Sequence, residues 1–396
     1  MEPSLNHLLW RYRHIIFFSF ALTFLSGFGQ SIFISLFIPT FLENAHISNT
    51  TFGTIYAGAT LLSGFALPWA GRQLDNISHA KYSKIVFFGL TTASIVTAFA
   101  DNIYLLSLAI FMLRFFGQGL FGHTSDTITA KKFGPNRGKA LSLAGLGYPS
   151  SEAIIPLIAV WILGHYGIKV TWLLVATFIF LFIPFINFFA NSPGENESED
   201  HKIEENTRKD FPGLKSFSFW VWASATLMPP FLLTSLFLYN AVIAELRGWT
   251  LEWMASSFVA FALARFTFSL IGGPLVDRYG AKNLYPWHLI PLCIGISILA
   301  LWENQFAAPT YLALAGVSIG LGAPIKTALW AEIYDVKFLA QIRSWLSSFG
   351  VIGTAAGPPV LALMLDSGIS LTNSLSLLSI SLAAIITLCG FLKRYC

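Results

Sequence analysis

Four ionisable side chains interrupt otherwise apolar runs of the chain: Arg114, Glu152, Arg265 and Lys326. An ion at the centre of a bilayer costs ~2.5 to 3.5 kcal/mol even on lenient insertion scales, so each needs a partner, a cavity or a transported ion. Three cations face one carboxylate. A single Glu cannot neutralise all three, which leaves positive charge for an anion to complete. Guanidinium groups clasp a carboxylate or phosphate through two parallel bonds, and an ammonium acts as a point charge. The plainer assignment pairs Glu152 with Arg114 or Arg265, simply tying helices together. As the one carboxylate of the set, Glu152 is also the candidate carrier of a coupling proton. Gln30 and Asn240 add neutral hydrogen-bonding groups, suited equally to a solute or to a neighbouring helix. Within the spans there is no His cluster, paired carboxylate or nucleophile motif, and Cys293, Cys389 and Cys396 lack metal-ligand spacing. Neither a metal, a cofactor nor an enzymatic activity is therefore expected.

Residues of this kind need a scaffold that crosses lipid. The composition is 55% hydrophobic and only 11% charged, and mean hydropathy is +0.65, whereas soluble domains average roughly 25% charged residues. At ~20 residues per crossing the chain divides into twelve helical spans. The first six lie near 15–42, 52–70, 85–100, 105–130, 140–163 and 172–190. An acid-rich polar stretch over 191–215 is expected to be a linker, and six more spans follow it. Of the 24 Lys and Arg residues, only Lys169 and Arg247 fall in loops on one side, and Arg114, Arg265 and Lys326 lie within spans. The positive-inside rule then puts both chain ends in the cytoplasm, with the spans in an inner membrane. Arg11 and Arg13 precede an apolar run too long for a signal-peptide core, which is expected to be the first span.

The loops carry a repeat. Gly272 to Lys282 reads GGPLVDRYGAK and is expected to form a tight charged turn between two spans. An imperfect copy from Gly71 to Asn76 places Asp75 202 positions before Asp277. Gly117, Gly119 and Thr124 recur 203 positions later as Gly320, Gly322 and Thr327. A shared offset near half the length implies a duplicated architecture, with units over 1–190 and 216–396 joined by 191–215. The pattern Gly-x-x-x-Asp-Arg-x-Gly-x-Lys resembles the signature loop of the major facilitator superfamily, which follows the second helix of each half. LRFFGQGLFG around Arg114 resembles that family's fourth-helix motif. Gly145, Gly147, Pro149, Glu152 and Pro156 resemble its Gly- and Pro-rich fifth helix. Arg265 resembles, one turn deeper, the eighth-span Arg of monocarboxylate and oxalate-formate carriers.

The resemblance implies an all-α integral membrane protein of twelve transmembrane helices in two six-helix halves. It also implies a central cavity lined by spans one, four, seven and ten, with two, five, eight and eleven beside them. The implied function is secondary active transport of a small organic solute by alternating access. With the excess of cations, the expected solute is an anion such as a carboxylate or carboxylate siderophore, bound by Arg114, Arg265, Lys326, Gln30 and Asn240, with Glu152 coupling a proton. Gly71, Asp75, Asp126, Gly273, Asp277 and Arg278 are the implied gating residues, and Glu332 and Asp335 could complete their charge network. Proton-coupled multidrug efflux is the alternative, and a transporter-derived sensor a third possibility. No Gly-x-x-x-x-Gly-Lys-Ser/Thr loop occurs, which disfavours ATP-driven transport by this chain alone. The expected partners are a solute, a proton and the bilayer, with no nucleic acid and with the chain working as a monomer.

Overall fold

The computed structural model describes residues 12–133, 137–187, 216–334 and 338–395, and among these the ordered elements are all helices. Lipid offers no hydrogen bonds, so each crossing segment must satisfy its own backbone, as a helix does. Helix α1 is assembled from Arg13–Leu25, Ser26–Gly29, Ser31–Ser35 and Ile38–Ala45. Helices α2 (Asn49–Asn76) and α3 (His79–Ala98) follow. Helix α4 passes through Ile103–Met112, Leu113–Leu120 and Phe121–Phe133. Helix α5 comprises Arg137–Gly145 and the stretch from Gly147 to the turn at Gly167, and α6 continues from there to Phe185. In the second half α7 joins Phe217–Leu238 to Asn240–Leu246, and α8 is Leu251–Tyr279. The last four are α9 (Trp287–Leu301), α10 (Ala307–Ile333), α11 (Leu339–Asp366) and α12 (Leu371–Tyr395).

Among the described residues, eight stretches are both long and apolar enough to cross a membrane. One of them, Gly138–Phe185, spans 48 residues and turns at Gly167, where φ is 75° and ψ 174°, so it supplies two crossings. Glycine is needed at that angle because a β-carbon would clash with the backbone. The short apolar α9 and the more polar α2 and α3 complete twelve rods. Several starts are written in the sequence as side-chain caps. Ser48 accepts from the Thr51 amide, Asn102 from the Tyr104 and Leu105 amides, and Thr250 from the Trp253 amide.

The stretch from Gly272 to Lys282 differs from its expected form. It is helical through Tyr279, and the chain turns only at Gly280, where φ is 76°. A helix can run past the edge of its apolar segment when its last turn carries a cation, as Arg278 does here. The Glu332 carboxylate then accepts from the Ala281 and Lys282 amides at 2.7 and 2.9 Å, capping the short helix that restarts at Ala281. The Gly71–Asn76 copy is likewise the end of α2 rather than a separate turn.

Helices α1–α6 and α7–α12 form the two bundles of the fold. They meet along α2 with α11, along α5 with α8, and where the later segments of α1 touch α7. The basal end of the bundle is the one where α1 starts and α12 finishes; the distal end is opposite. The 191–215 linker and Asp335 lie outside the described residues.

Candidate functional site

A cavity of about 450 Å³ lies between the bundles, lined by α2, α4 and α5 on one side and α7 and α11 on the other. It reaches from mid-bundle toward the basal end. Two helix faces supply its smaller polar walls. Thr60, Ser63, Gly64 and Leu67 of α2 share one stripe, and Ser347, Gly350, Val351 and Thr354 of α11 share another. Both follow the i, i+3, i+4, i+7 spacing of a helical face. That spacing is present in the sequence, and it is the signal that could have found these lining residues.

Helix α4 contributes the charged wall, with Arg114, Gln118, His123 and Asp126 all lining the cavity. Arg114 belongs to the Leu113–Leu120 segment, which is wound as a π-helix. Such local widening recurs where a side chain must be redirected or a neighbour approaches closely. Here the neighbour is α1. A β-carbon on Gly29 would collide with the backbones of Leu113, Gly117 and Gln118. Opposite this point α1 itself changes to a 3-10 turn over Ser26–Gly29, and Gln30 is extended, with φ −80° and ψ 152°. Two irregular segments therefore interlock at a glycine contact, and they hold Arg114 at mid-bundle.

Arg114 is only 3% exposed. Its Nε donates to Thr60 Oγ1 at 3.2 Å, and its guanidinium carbon lies 4.8 Å from the centre of the Tyr56 ring. One terminal nitrogen, Nη1, has no hydrogen-bond acceptor, and buried Gln118 Oε1 likewise has no donor. Among the described residues no carboxylate pairs with Arg114.

The other mid-span charges are arranged differently. Arg265 of α8 donates to Glu152 Oε1 of α5 at 2.5 Å, an ion pair that bridges the two bundles. The helix-tying assignment for Glu152 is thus seen, with Arg265 and not Arg114 as its partner. Lys326 of α10 does not line the cavity but approaches His288 of α9 in the space beside Gly322. Asn240 is fully buried and accepts from the Tyr311 hydroxyl of α10, linking two helices. Gln30 donates to Ser26 Oγ at 3.4 Å across the α1 break. Neither amide borders the cavity.

Of the implied gating residues, Asp126 is exposed within the cavity, and a β-carbon on Gly71 would meet the His123 ring. Gly273 faces open space. Asp277 and Arg278 are exposed, and Arg278 lies 5.2 Å over the Tyr279 ring. The Asp75 side chain lies outside the described residues. Arg114 and Asp126 line the same cavity twelve positions apart on α4, whereas Glu152 and Arg265 are in direct contact. Tyr148, Thr60 and Ser63 are cavity residues that sequence reasoning missed.

The family model described as Major Facilitator Superfamily matches residues 19–264 and 234–395. The chain is 24% identical over 313 residues to the MFS-type transporter YfkF of Bacillus subtilis, covering 75% of this chain and 74% of that protein. A shorter likeness, 27% over 103 residues and 26% of each chain, is to the bacillibactin exporter of the same organism. Among solved structures, a bacterial homologue of the human lysosomal transporter Spinster superposes with a TM-score of 0.72 at 12% identity, covering 97% of both chains. The nucleoside transporter NupG, as its D323A mutant, superposes with 0.75 at 10% identity, covering 97% of this chain and 99% of that one. At such identities these two likenesses bear on fold alone. The chain belongs to the Major Facilitator Superfamily and is a multi-pass membrane transporter.

Proposed function

We propose that the protein is a secondary active transporter that moves a small organic anion by alternating access, with Arg114 as the group that receives the anion. The observation that carries this reading is a buried guanidinium at the cavity wall, with an unfilled Nη1 and no carboxylate partner among the described residues. An uncompensated buried ion is costly, and an arriving carboxylate or phosphate removes that cost through charge-assisted bonds. The Glu152–Arg265 pair spans the bundles. Breaking it as they rock, with a proton taken by Glu152, is the coupling step this reading assigns. The units over 1–190 and 216–396 are then the rocking bodies. With Lys and Arg sorted to the basal loops, the positive-inside rule puts that end in the cytoplasm of a cell with an inner membrane. The cavity accordingly faces inward in this conformation.

Proton-coupled efflux of cationic compounds is the competing reading, and Asp126, exposed in the same cavity, is the observation in its favour. Thermal unfolding of the detergent-purified protein against carboxylates, phosphorylated solutes and lipophilic cations separates the two. A ligand at ~100 times its dissociation constant stabilises the fold by about 2.7 kcal/mol. A midpoint shift by an anion that Arg114→Gln abolishes supports the anion carrier. Shifts by cations alone, lost in Asp126→Asn, overturn it.

A further inference from the structure

The charged residues at the cavity wall are of both signs, and they lie on one helix. Arg114 and Asp126 are twelve positions apart on α4, roughly 18 Å at 1.5 Å per residue, with His123 beside Asp126. The wall opposite, formed by Pro230 of α7 with Ser347, Gly350, Val351 and Thr354 of α11, carries no charge. A solute held there is therefore read by α4 alone, with a positive pole at mid-bundle and a negative pole toward the basal opening.

We infer that the transported solute is dipolar and elongated, with an anionic group that pairs with Arg114 and an amine or other cationic group that pairs with Asp126. This rests on the anion-carrier reading and names the class of anion. The argument is one of compensation. A plain anion satisfies Arg114 but brings no partner for the Asp126 carboxylate, which becomes dehydrated as the bundles close around the solute. A plain cation satisfies Asp126 and leaves the guanidinium buried and uncompensated. A solute with both groups, held apart by an extended middle, answers both poles. The uncharged stripes of α2 and α11 offer hydroxyl groups and small apolar surface between the poles, suited to an aliphatic or lightly hydroxylated middle.

The test uses the purified full-length protein and three probe series matched in chain length, from pentyl to dodecyl: ω-amino alkanoates, alkanoates and diamines. Thermal unfolding midpoints across concentration give the affinities. One length of ω-amino alkanoate is expected to bind about tenfold or more tightly than the matched alkanoate, as one charge-assisted bond provides. Asp126→Asn is expected to remove that preference while alkanoate binding persists. Asp126→Glu, which keeps the charge, is expected to retain it, and this separates the loss of a pole from a folding defect. Arg114→Gln is expected to remove binding of both carboxylate series. Alkanoate binding with no preference for the amino series, or a preference unchanged in Asp126→Asn, overturns the dipolar solute and leaves the anion carrier standing. Binding of diamines alone overturns both, as does the absence of a shift with either carboxylate series.

Discussion

Asp366, the last residue of α11, accepts the backbone N–H of Thr50 at 2.7 Å. The Asn49 side-chain amide donates to the same carboxylate at 3.0 Å, and Tyr239 of α7 donates to the Asn49 carbonyl at 2.9 Å. These residues belong to opposite bundles, so the distal end is closed by a carboxylate seated on the first turn of α2. Free amides and the helix dipole favour negative charge at that position. At the basal end, Asp277 and Arg278 of the signature stretch are exposed.

Removing the latch should bias the protein toward distal opening. The bonds are solvent-exposed and each contributes about 1 kcal/mol, so Asp366→Ala should raise the population open at that end several-fold. A cysteine replacing Ser63 at the cavity wall, in a background free of other cysteines, reports this through an impermeant thiol reagent applied from the distal side of oriented vesicles. An unchanged labelling rate would show that other contacts hold the distal end shut.

The Glu152–Arg265 pair should respond unequally to loss of its two members. The Glu152 side chain is 11% exposed and the Arg265 side chain 30%, so Arg265→Ala strands the less solvated ion. Breaking a buried pair from one side costs about 3 to 5 kcal/mol, with the lower part of that range expected for Glu152→Gln because Arg265 keeps contact with solvent. The double variant should recover part of the loss. Thermal unfolding of all four proteins gives the coupling energy, and simple additivity would mean that the two groups act independently.

Legibility in the sequence followed the range of the interactions involved. The twelve crossings and the superfamily were readable because they rest on local composition and on the residues from Gly272 to Lys282, and the family match bears them out. Arg114, Glu152 and Arg265 stood out because a charge inside an apolar run is conspicuous. Which cation Glu152 would choose was not readable, since the decision belongs to the α5–α8 seam, 113 residues apart in sequence. The π-wound segment was hidden for the same reason: the cause lies in Gly29 of another helix. The paired glycines at offset 203 carried more than they showed. Gly119 opens α4 to Leu67 of α2, whereas Gly320 opens α10 to the backbone of α8, so the repeat marks seams with the second helix of each half. The Asp366–Thr50 contact joins positions 316 residues apart, and no local pattern announces it.

The interlocked breaks of α1 and α4 make Gly29 a position with little tolerance of a side chain. Its β-carbon would meet backbone atoms of Leu113, Gly117 and Gln118, and backbone, unlike a flexible side chain, cannot rotate away. Gly29→Ala should therefore destabilise by about 1 to 3 kcal/mol or more, as overpacking does. Gly58→Ala is the matched control. It lies within α2 with nothing near its β-carbon position, and should be neutral or stabilising by up to ~1 kcal/mol through helix propensity. Equal midpoints for the two variants would show that the crossing can spread to admit a methyl group.

Thr60 tests whether Arg114 is held ready for a ligand or merely tolerated. Its hydroxyl is the acceptor for Arg114 Nε, and Nη1 has none. Thr60→Val keeps the shape but strands a second donor of the same guanidinium, for a loss of about 1 to 3 kcal/mol in the ligand-free protein. Thr60→Ser, which preserves the acceptor, should cost less. A bound carboxylate offers two oxygens to the freed donors, so an alkanoate should raise the midpoint of Thr60→Val by more than it raises that of the parent protein. A smaller shift in the variant would mean that the Thr60 bond orients the guanidinium for binding, and that its orientation outweighs the number of free donors.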